Sequence, residues 1–328
     1  MSESWTILKL LQWTTNYLKS KDLESPRLEA EVLLAHLLNL KRIDLYVQFE
    51  RILAPDELAS FKALLKRRVD HEPLAYIVGK KEFYSRDFFM TPDVLIPRPE
   101  TEMLVKVVLN NFKMGQRSKV EGPKSSDQHL PAEALAKEGP ATSDGRVRGL
   151  EIGLGSGCIS ITLLLEIPTL TMDAIEISEK AIGIARKNAE KHGVVDRLNA
   201  SVCDFLMACT GTRLRNGQAK FCAPTSGYDF IVSNPPYIST AEMNHLPETV
   251  KKFEPRIALE AGDEGLSFYP KIAEFAKNHL KTGGFLAVEI GEDQGYRAKT
   301  IFEEHGLSGV EVKKDLSGKE RVVVARRS

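Results

Sequence analysis

The stretch Gly149-Leu150-Glu151-Ile152-Gly153-Leu154-Gly155-Ser156-Gly157 decides the fold of this chain. Residues 149–152 read as a short strand, the alternating glycines as a turn, and Cys158 to Glu166 as a helix. A glycine-rich turn between strand and helix is the setting of a nucleotide-type site, because glycine allows positive φ and close approach of a ligand to the backbone. The third glycine comes too early for the dinucleotide fingerprint G-x-G-x-x-G, which argues against a dehydrogenase. Glu151 stands just before the loop, and a negative charge there suits a cation better than a pyrophosphate. S-adenosylmethionine, with a sulfonium, an ammonium and no phosphate, meets that requirement.

Outward from the loop, strands alternate with helices. Thr171–Ile177 is the second strand, Ser178 caps a helix to about His192, and Leu198–Val202 is the third strand. Tyr228–Ser233 is the fourth, a helix covers Gly265–Leu280, and Gly284–Ile290 is the fifth. Late strands lie near Val310–Val312 and Arg321–Ala325. The pattern predicts an α/β fold with a mostly parallel seven-stranded sheet, Rossmann-like and covered on both faces. Glu176, about twenty residues past the loop, is placed to accept hydrogen bonds from ribose hydroxyls. Asp204 and Phe205, after the third strand, could take an adenine amino group and pack on its ring.

The fourth strand runs into Asn234-Pro235-Pro236-Tyr237. Proline gives no N–H to a ladder, so the chain must leave the sheet here in a stiff, extended turn. The turn could merely close a strand. It also puts an amide, two proline-fixed carbonyls and a ring at the carboxyl edge, where open α/β sheets bind ligands. The Asn234 oxygen and the Pro235 carbonyl can each accept one N–H of a planar NH2 group. Both bonds strengthen as a methyl is added to that nitrogen and positive charge grows there. Tyr237 can stack on the planar group and hold it in place.

Residues 1–72 read as a small helical domain, with a helix from Trp5 to about Leu18, one capped by Ser25 with Pro26, and one starting at Pro55. The last ends in Lys66-Arg67-Arg68, ordinarily a solvated face, otherwise a contact for acidic protein or RNA. Residues 73–100 read as a hairpin and linker, with Leu74–Val78 as its first strand. Arg98 between two prolines could face a carboxylate. Residues 101–328 make the catalytic domain, interrupted by linker-like stretches at 113–147 and 207–227 that are expected to be mobile.

The chain has 328 residues, with Lys+Arg and Asp+Glu equal at 45 each, so a dedicated phosphate-binding protein is disfavoured. No apolar run is long enough for a membrane span, and the start lacks a signal-peptide pattern. Cys158, Cys203, Cys209 and Cys222 show no metal-type spacing, which predicts no metal site and reduced cytoplasmic thiols.

Taken together, the chain resembles the PrmC/HemK family of protein-(glutamine-N5) methyltransferases that act on class-I peptide chain release factors. The matching stretches are Pro73–Gly79, Lys81–Tyr84, Leu95–Glu102, Gly153–Gly157, Ser233–Tyr237, Phe253–Leu259, Gly262–Leu266 and Glu289–Gly291. The Asn-Pro-Pro-Tyr turn is shared with adenine-N6 methyltransferases of DNA and RNA, the alternative reading. The segments Ile96-Pro97-Arg98-Pro99-Glu100-Thr101-Glu102 and Glu254-Pro255-Arg256-x-Ala258-Leu259 are more specific.

The resemblance implies a class I S-adenosylmethionine-dependent fold, release factors as protein partners without stable nucleic-acid or membrane binding, and a cytoplasmic monomer whose N-terminal helices dock the substrate. It implies cofactor contacts from Glu151, Gly153, Leu154, Gly155, Ser156, Gly157, Glu176, Asp204, Phe205 and Asn234. The substrate glutamine would lie against Asn234, Pro235, Pro236 and Tyr237, with Arg98 nearby. Catalysis would fall to Asn234, Pro235 and Tyr237. Leu154 replaces the family's usual small or polar residue, Glu151 and Glu176 stand where Asp is commoner, Phe205 stands where some members have Trp, and the two long loops exceed the usual lengths.

Overall fold

The computed structural model describes residues 4–120, 147–208 and 223–328. Most of the two linker-like stretches therefore lies outside the described residues, as do Cys209 and Cys222. Two compact units divide the chain: Met1–Lys80 with Met90–Pro92 and Leu246–Glu254, and Lys81–Phe89 with Asp93–His245 and Pro255–Ser328.

The first unit contains α1 (Ile7–Lys19), α2 (Pro26–Leu38), α3 (Arg42–Val47), α4 (Pro55–Val69) and α5 (Leu74–Val78). The apolar stripe of α1, with Ile7, Leu11 and Leu18 fully buried, packs in one core with Leu33, Leu34 and Phe61. Each such side chain contributes about 1.5–3 kcal/mol by leaving water. Three expectations change here. Ser25 makes no side-chain capping bond, so α2 starts on Pro26, whose fixed φ suits the first helical position. The basic cluster is not simply a solvated face: Arg68 is 7% exposed and its Nε and Nη2 reach both oxygens of Glu29 at 2.6 and 2.9 Å. Leu74–Val78 is a helix, not a strand. The amides of Tyr76 and Ile77 both donate to the Pro73 carbonyl, and Gly79 at φ 71° ends the turn. A short apolar run buried all round carries no period that could tell the two apart.

The hairpin is one step later, as β1 (Lys80–Phe83) and β2 (Arg86–Phe89), and from Lys81 on it belongs to the second unit. Tyr84 and Ser85 both take positive φ, the backbone of a type I′ turn, without the glycine or asparagine that announces one. Helix α6 spans Thr101–Val120, so helical backbone runs well past residue 113. The remaining elements are β3 (Val147–Ile152), α7 (Cys158–Glu166), β4 (Leu170–Glu176), α8 (Glu179–Lys191), β5 (Leu198–Val202), α9 (Phe205–Ala208), β6 (Tyr228–Ser233), α10 (Thr240–Met243), α11 (Glu248–Phe253, in the first unit), α12 (Tyr269–His279), β7 (Leu280–Glu289), α13 (Gly295–Glu304), β8 (Ser308–Lys314) and β9 (Glu320–Arg326). Helix α12 is shorter than expected at both ends: it starts at Tyr269, not Gly265, and stops at His279 because Leu280 already belongs to β7.

The seven strands run in the order β5-β4-β3-β6-β7-β9-β8. β3 to β7 pair in parallel, and β9 is antiparallel to both β7 and β8. This is the expected mostly parallel sheet. The order reverses between β3 and β6: the chain winds outward through β4 and β5, then returns to the other side of β3. Adjacent loops part at such a switch point and leave a crevice beyond the carboxyl ends of the strands. The register pairs Ile152 with both Ile175 and Ser233, so Gly153, Glu176 and Asn234 all start at one edge.

Candidate active site

The glycine loop is built from inside. Gly153, Gly155 and Gly157 have φ of 82°, 53° and 79°. A Cβ on Gly157 would come within 3.0 Å of Ile161 and 3.1 Å of Ala185, so glycine there lets the start of α7 pack closely on α8. Buried Asn188 of α8 bonds the Ser156 carbonyl at 2.9 Å and both main-chain groups of Phe89, tying the loop to the hairpin. The Gly155 amide donates to Glu176 Oε2 at 2.9 Å, and the Ser178 amide donates to Glu176 Oε1 at 2.9 Å. In a phosphate-binding loop such an amide would face the anion. Here a carboxylate occupies it.

Glu151 lies beneath the loop, 1% exposed, with Ser160 N donating to its Oε2 at 3.0 Å and the Ser160 hydroxyl also bonded to that oxygen. Burial pushes its carboxyl up to about 8, partly offset by the Ser160 bonds. An acid neutral in the fold and ionised when unfolded lowers stability as pH rises from its ordinary value through its folded one. Wild-type unfolding free energy is therefore expected to decline between about pH 5 and pH 9, with a smaller decline in Glu151→Gln. Urea midpoints across that range measure it, and equal slopes for both proteins would contradict it.

The Asn-Pro-Pro-Tyr turn is held from three sides. Ser233 Oγ donates to the Ile152 carbonyl at 2.8 Å, linking the last residue of β6 to β3. Gln294 Nε2 donates to the Tyr237 carbonyl at 2.9 Å and to the Gly265 carbonyl at 3.2 Å. The Ile238 amide and carbonyl bond Leu259 and Ala261. A Cβ at Gly153 would have the Asn234 carbonyl oxygen 3.9 Å away, so glycine loop and turn face each other across the crevice. Asn234 Nδ2 donates to Thr101 Oγ1 at 3.2 Å. Among the described residues no donor reaches Asn234 Oδ1 or the Pro235 carbonyl. Two acceptors therefore stand side by side in a rigid turn.

Sequence reasoning missed Thr101, Glu289 and Gln294. Glu289, the last residue of β7, is 2% exposed. Tyr237 Oη donates to its Oε1 at 3.5 Å, while its Oε2 has no hydrogen-bond partner among the described residues. Burial raises the Glu289 carboxyl to about 7, and the Thr101 hydroxyl does most to hold it down. The sequence signals for Glu289 are its place at the end of a strand and its membership of the matching stretch Glu289–Gly291, neither of which gave it a role.

The remaining expected site residues are less open than their positions suggest. Leu154 is 2% exposed, so its side chain faces the core and only its backbone belongs to the loop. Ser156 is buried, and Asp204 Oδ1 accepts from the Leu206 amide at 2.9 Å. Phe205 is buried, its ring edge-on to Phe275 at 5.5 Å within the core. The Arg98 carbonyl accepts the Thr101 amide, and its charge lowers the Tyr237 phenol against the stronger upward push of burial.

The residues fit the cofactor inferred from sequence. The loop amide of Gly155 is already neutralised by the carboxylate of Glu176, and a Cβ at Gly155 would point into open space; Glu151, buried and held neutral, does not supply the negative charge expected of it. Among the described residues no cluster of His, Cys, Asp or Glu could hold a metal, and no helix is long and apolar enough to cross a membrane.

A switch-point crevice between a glycine loop and an Asn-Pro-Pro-Tyr turn, on a seven-stranded sheet with an antiparallel last strand pair, defines a class I methyltransferase. Sequence comparison agrees: the methyltransferase small domain matches residues 130–253 and the PrmC N-terminal domain matches residues 9–79. A release factor glutamine methyltransferase of Geobacter sulfurreducens is 38% identical, covering 99% of this chain and 98% of the relative. Enzymes of that name from Nitratidesulfovibrio vulgaris (37%, covering 98% and 96%) and Rhodopirellula baltica (33%, covering 99% and 97%) align equally fully. The chain belongs to the release factor glutamine methyltransferase family.

Proposed function

We propose that this protein methylates the side-chain amide nitrogen of the glutamine in the Gly-Gly-Gln loop of class-I peptide chain release factors, using S-adenosylmethionine. The observation that carries the reading is the pair of unengaged acceptors, Asn234 Oδ1 and the Pro235 carbonyl, in a turn whose Asn234 main-chain carbonyl lies beside Gly153 of the glycine loop. The cofactor supplies an electrophilic methyl on a sulfonium. Glu176 would hold its ribose hydroxyls, and the backbone of Gly153–Gly157 would pass along its amino-acid end.

A glutamine amide nitrogen is a poor nucleophile because its lone pair is shared with the carbonyl. Asn234 Oδ1 and the Pro235 carbonyl accept its two N–H groups and fix its orientation. As the nitrogen bonds the methyl carbon, the methyl–sulfur bond would break and its electron pair would stay on sulfur as a neutral thioether; the amide protons become more acidic and both hydrogen bonds shorten, so the turn favours the transition state over the ground state. Proline-fixed geometry spares reorganisation at that moment. One proton then leaves the alkylated nitrogen for water, and the neutral N-methyl amide remains. In the same reading the N-terminal helices dock the release factor, and the enzyme works in the cytoplasm as a monomer.

The test is mass spectrometry of a purified class-I release factor after incubation with enzyme and S-adenosylmethionine, with DNA and RNA in parallel. One methyl on the Gly-Gly-Gln glutamine is expected. Methyl on adenine, with none on the factor, would overturn the reading in favour of the nucleic-acid alternative.

A further inference from the structure

A side-chain amide can present either of its faces, and only one of them suits Asn234. Its oxygen must meet the methyl acceptor, since an NH2 group turned outward would oppose the NH2 of the substrate. Something must therefore select the rotamer in which nitrogen points inward. The inward partner is Thr101 Oγ1, 3.2 Å from Asn234 Nδ2, and Thr101 is 2% exposed at the start of α6. A hydroxyl alone does not select, because it can donate to an amide oxygen as readily as it accepts from an amide nitrogen. It becomes selective once its single proton is drawn elsewhere.

Glu289 is placed to draw it. The register pairs Ser233 with Val288, which sets the buried Glu289 carboxyl at the sheet edge next to Asn234 and its partner Thr101; Tyr237 Oη occupies one side of that carboxyl at 3.5 Å, and Oε2 has no partner among the described residues. A buried carboxylate oxygen without a donor is costly, and the Thr101 proton is the donor at hand. With that proton committed to Glu289, only lone pairs of Thr101 remain for Asn234.

We propose that Glu289 and Thr101 act as a positioning relay that locks the Asn234 amide with its nitrogen inward and its oxygen toward the methyl acceptor. The same carboxylate receives the Tyr237 hydroxyl, so one group orients both functional side chains of the turn. This deepens the proposed function and rests on it. The relay requires Glu289 ionised. Below its folded value of about 7 the neutral carboxyl becomes a donor to Thr101, which frees the threonine proton to pull in the Asn234 oxygen. Other groups bear on Glu289 from the elements around it: Glu100 before α6 raises it, and Arg321 of β9 lowers it. Tyr237 in the turn, Tyr269 of α12 and Cys158 of α7 all stay protonated, because burial raises each.

The test compares wild type with Glu289→Gln, Thr101→Val and Thr101→Ser. Wild-type turnover on the release factor falls about tenfold per pH unit below about pH 7, as expected for one required ionisation. Glu289→Gln lowers turnover by about tenfold or more and flattens that acidic limb, with cofactor affinity little changed. Thr101→Val gives a similar loss, Thr101→Ser recovers most of it, and the double variant of Glu289→Gln and Thr101→Val is no worse than either single one. A substrate-free readout separates this from the proposed function. The 15N side-chain amide signal of Asn234, identified by its absence in Asn234→Ala, shifts with the Glu289 titration in wild type and stays fixed in Glu289→Gln. A pH-independent Asn234 signal overturns the relay whatever the substrate proves to be. So do additive losses in the double variant, or a Glu289→Gln enzyme with the wild-type profile. If Glu289→Gln does not fold, the Thr101 pair still decides, because Val without loss or Ser without recovery excludes the hydroxyl.

Discussion

Asn234→Ala lowers turnover by about 100-fold or more while leaving the fold intact. Removing one oriented acceptor from a developing charge costs about 100- to 1,000-fold in related settings, because nothing else in the crevice can take that N–H. The folded state loses only the 3.2 Å bond from Asn234 Nδ2 to Thr101, a contribution of about 1 kcal/mol. The loss should therefore sit in kcat. Neighbouring Pro235 is buried and its carbonyl is set by the backbone, so the second acceptor survives the substitution. That leaves a residual rate and a weakly bound substrate, not a dead protein. Single-turnover methyl transfer with the release factor, together with calorimetric cofactor binding, gives both numbers. Near-normal turnover would remove Asn234 from its assigned role, whereas equal losses in turnover and in cofactor affinity would mean a structural role only.

The sheet was legible because its signals were redundant. Apolar strand runs, the glycine loop and the Pro-Pro exit agree on one topology, and the structure places all seven strands near where they are expected. The errors fall where one signal stood alone. Leu74–Val78 is too short and too uniformly apolar to show a period, and the Tyr84-Ser85 turn lacks its usual residues. The same logic applies at the site. Asn234 and Glu176 announce themselves, since a polar side chain at a strand exit has few reasons to be there. Thr101 and Glu289 do not: they fall inside the matching stretches Leu95–Glu102 and Glu289–Gly291, but nothing in those stretches gives either a role. They meet Asn234 only through the packing of the start of α6 and the end of β7 around β6, a contact between positions 133 residues apart for the Thr101–Asn234 pair. A buried threonine at a helix start and a glutamate at a strand end look ordinary in one dimension. Conversely, Phe205 and Leu154 have the right sequence positions, yet both side chains are packed into the core.

Glu176→Ala is expected to weaken S-adenosylmethionine binding by about 10- to 100-fold, with a much smaller effect on turnover at saturating cofactor. Two structural consequences combine. The carboxylate holds the Gly155 and Ser178 amides at 2.9 Å each, so its removal unties a loop whose glycines all take positive φ. It also removes the acceptors proposed for the ribose. A hydrogen bond to a charged group is worth about 1.5–3 kcal/mol, and each 1.4 kcal/mol is tenfold in affinity, which gives the stated range. The substituted group does not touch the nitrogen that reacts, so an enzyme forced to saturation should still transfer methyl. Glu176→Gln divides the two roles. Its amide can accept from one backbone N–H but offers NH2 to the other, so the loop is half restrained and the weakening should be smaller than for alanine. Titration calorimetry of the three proteins orders them wild type, Gln, Ala. Unchanged affinity in Glu176→Ala would show that the carboxylate serves the loop in the free protein and is displaced without loss when the cofactor binds. A fall in turnover as large as that of Asn234→Ala, with affinity retained, would instead move Glu176 from the cofactor to the reacting centre.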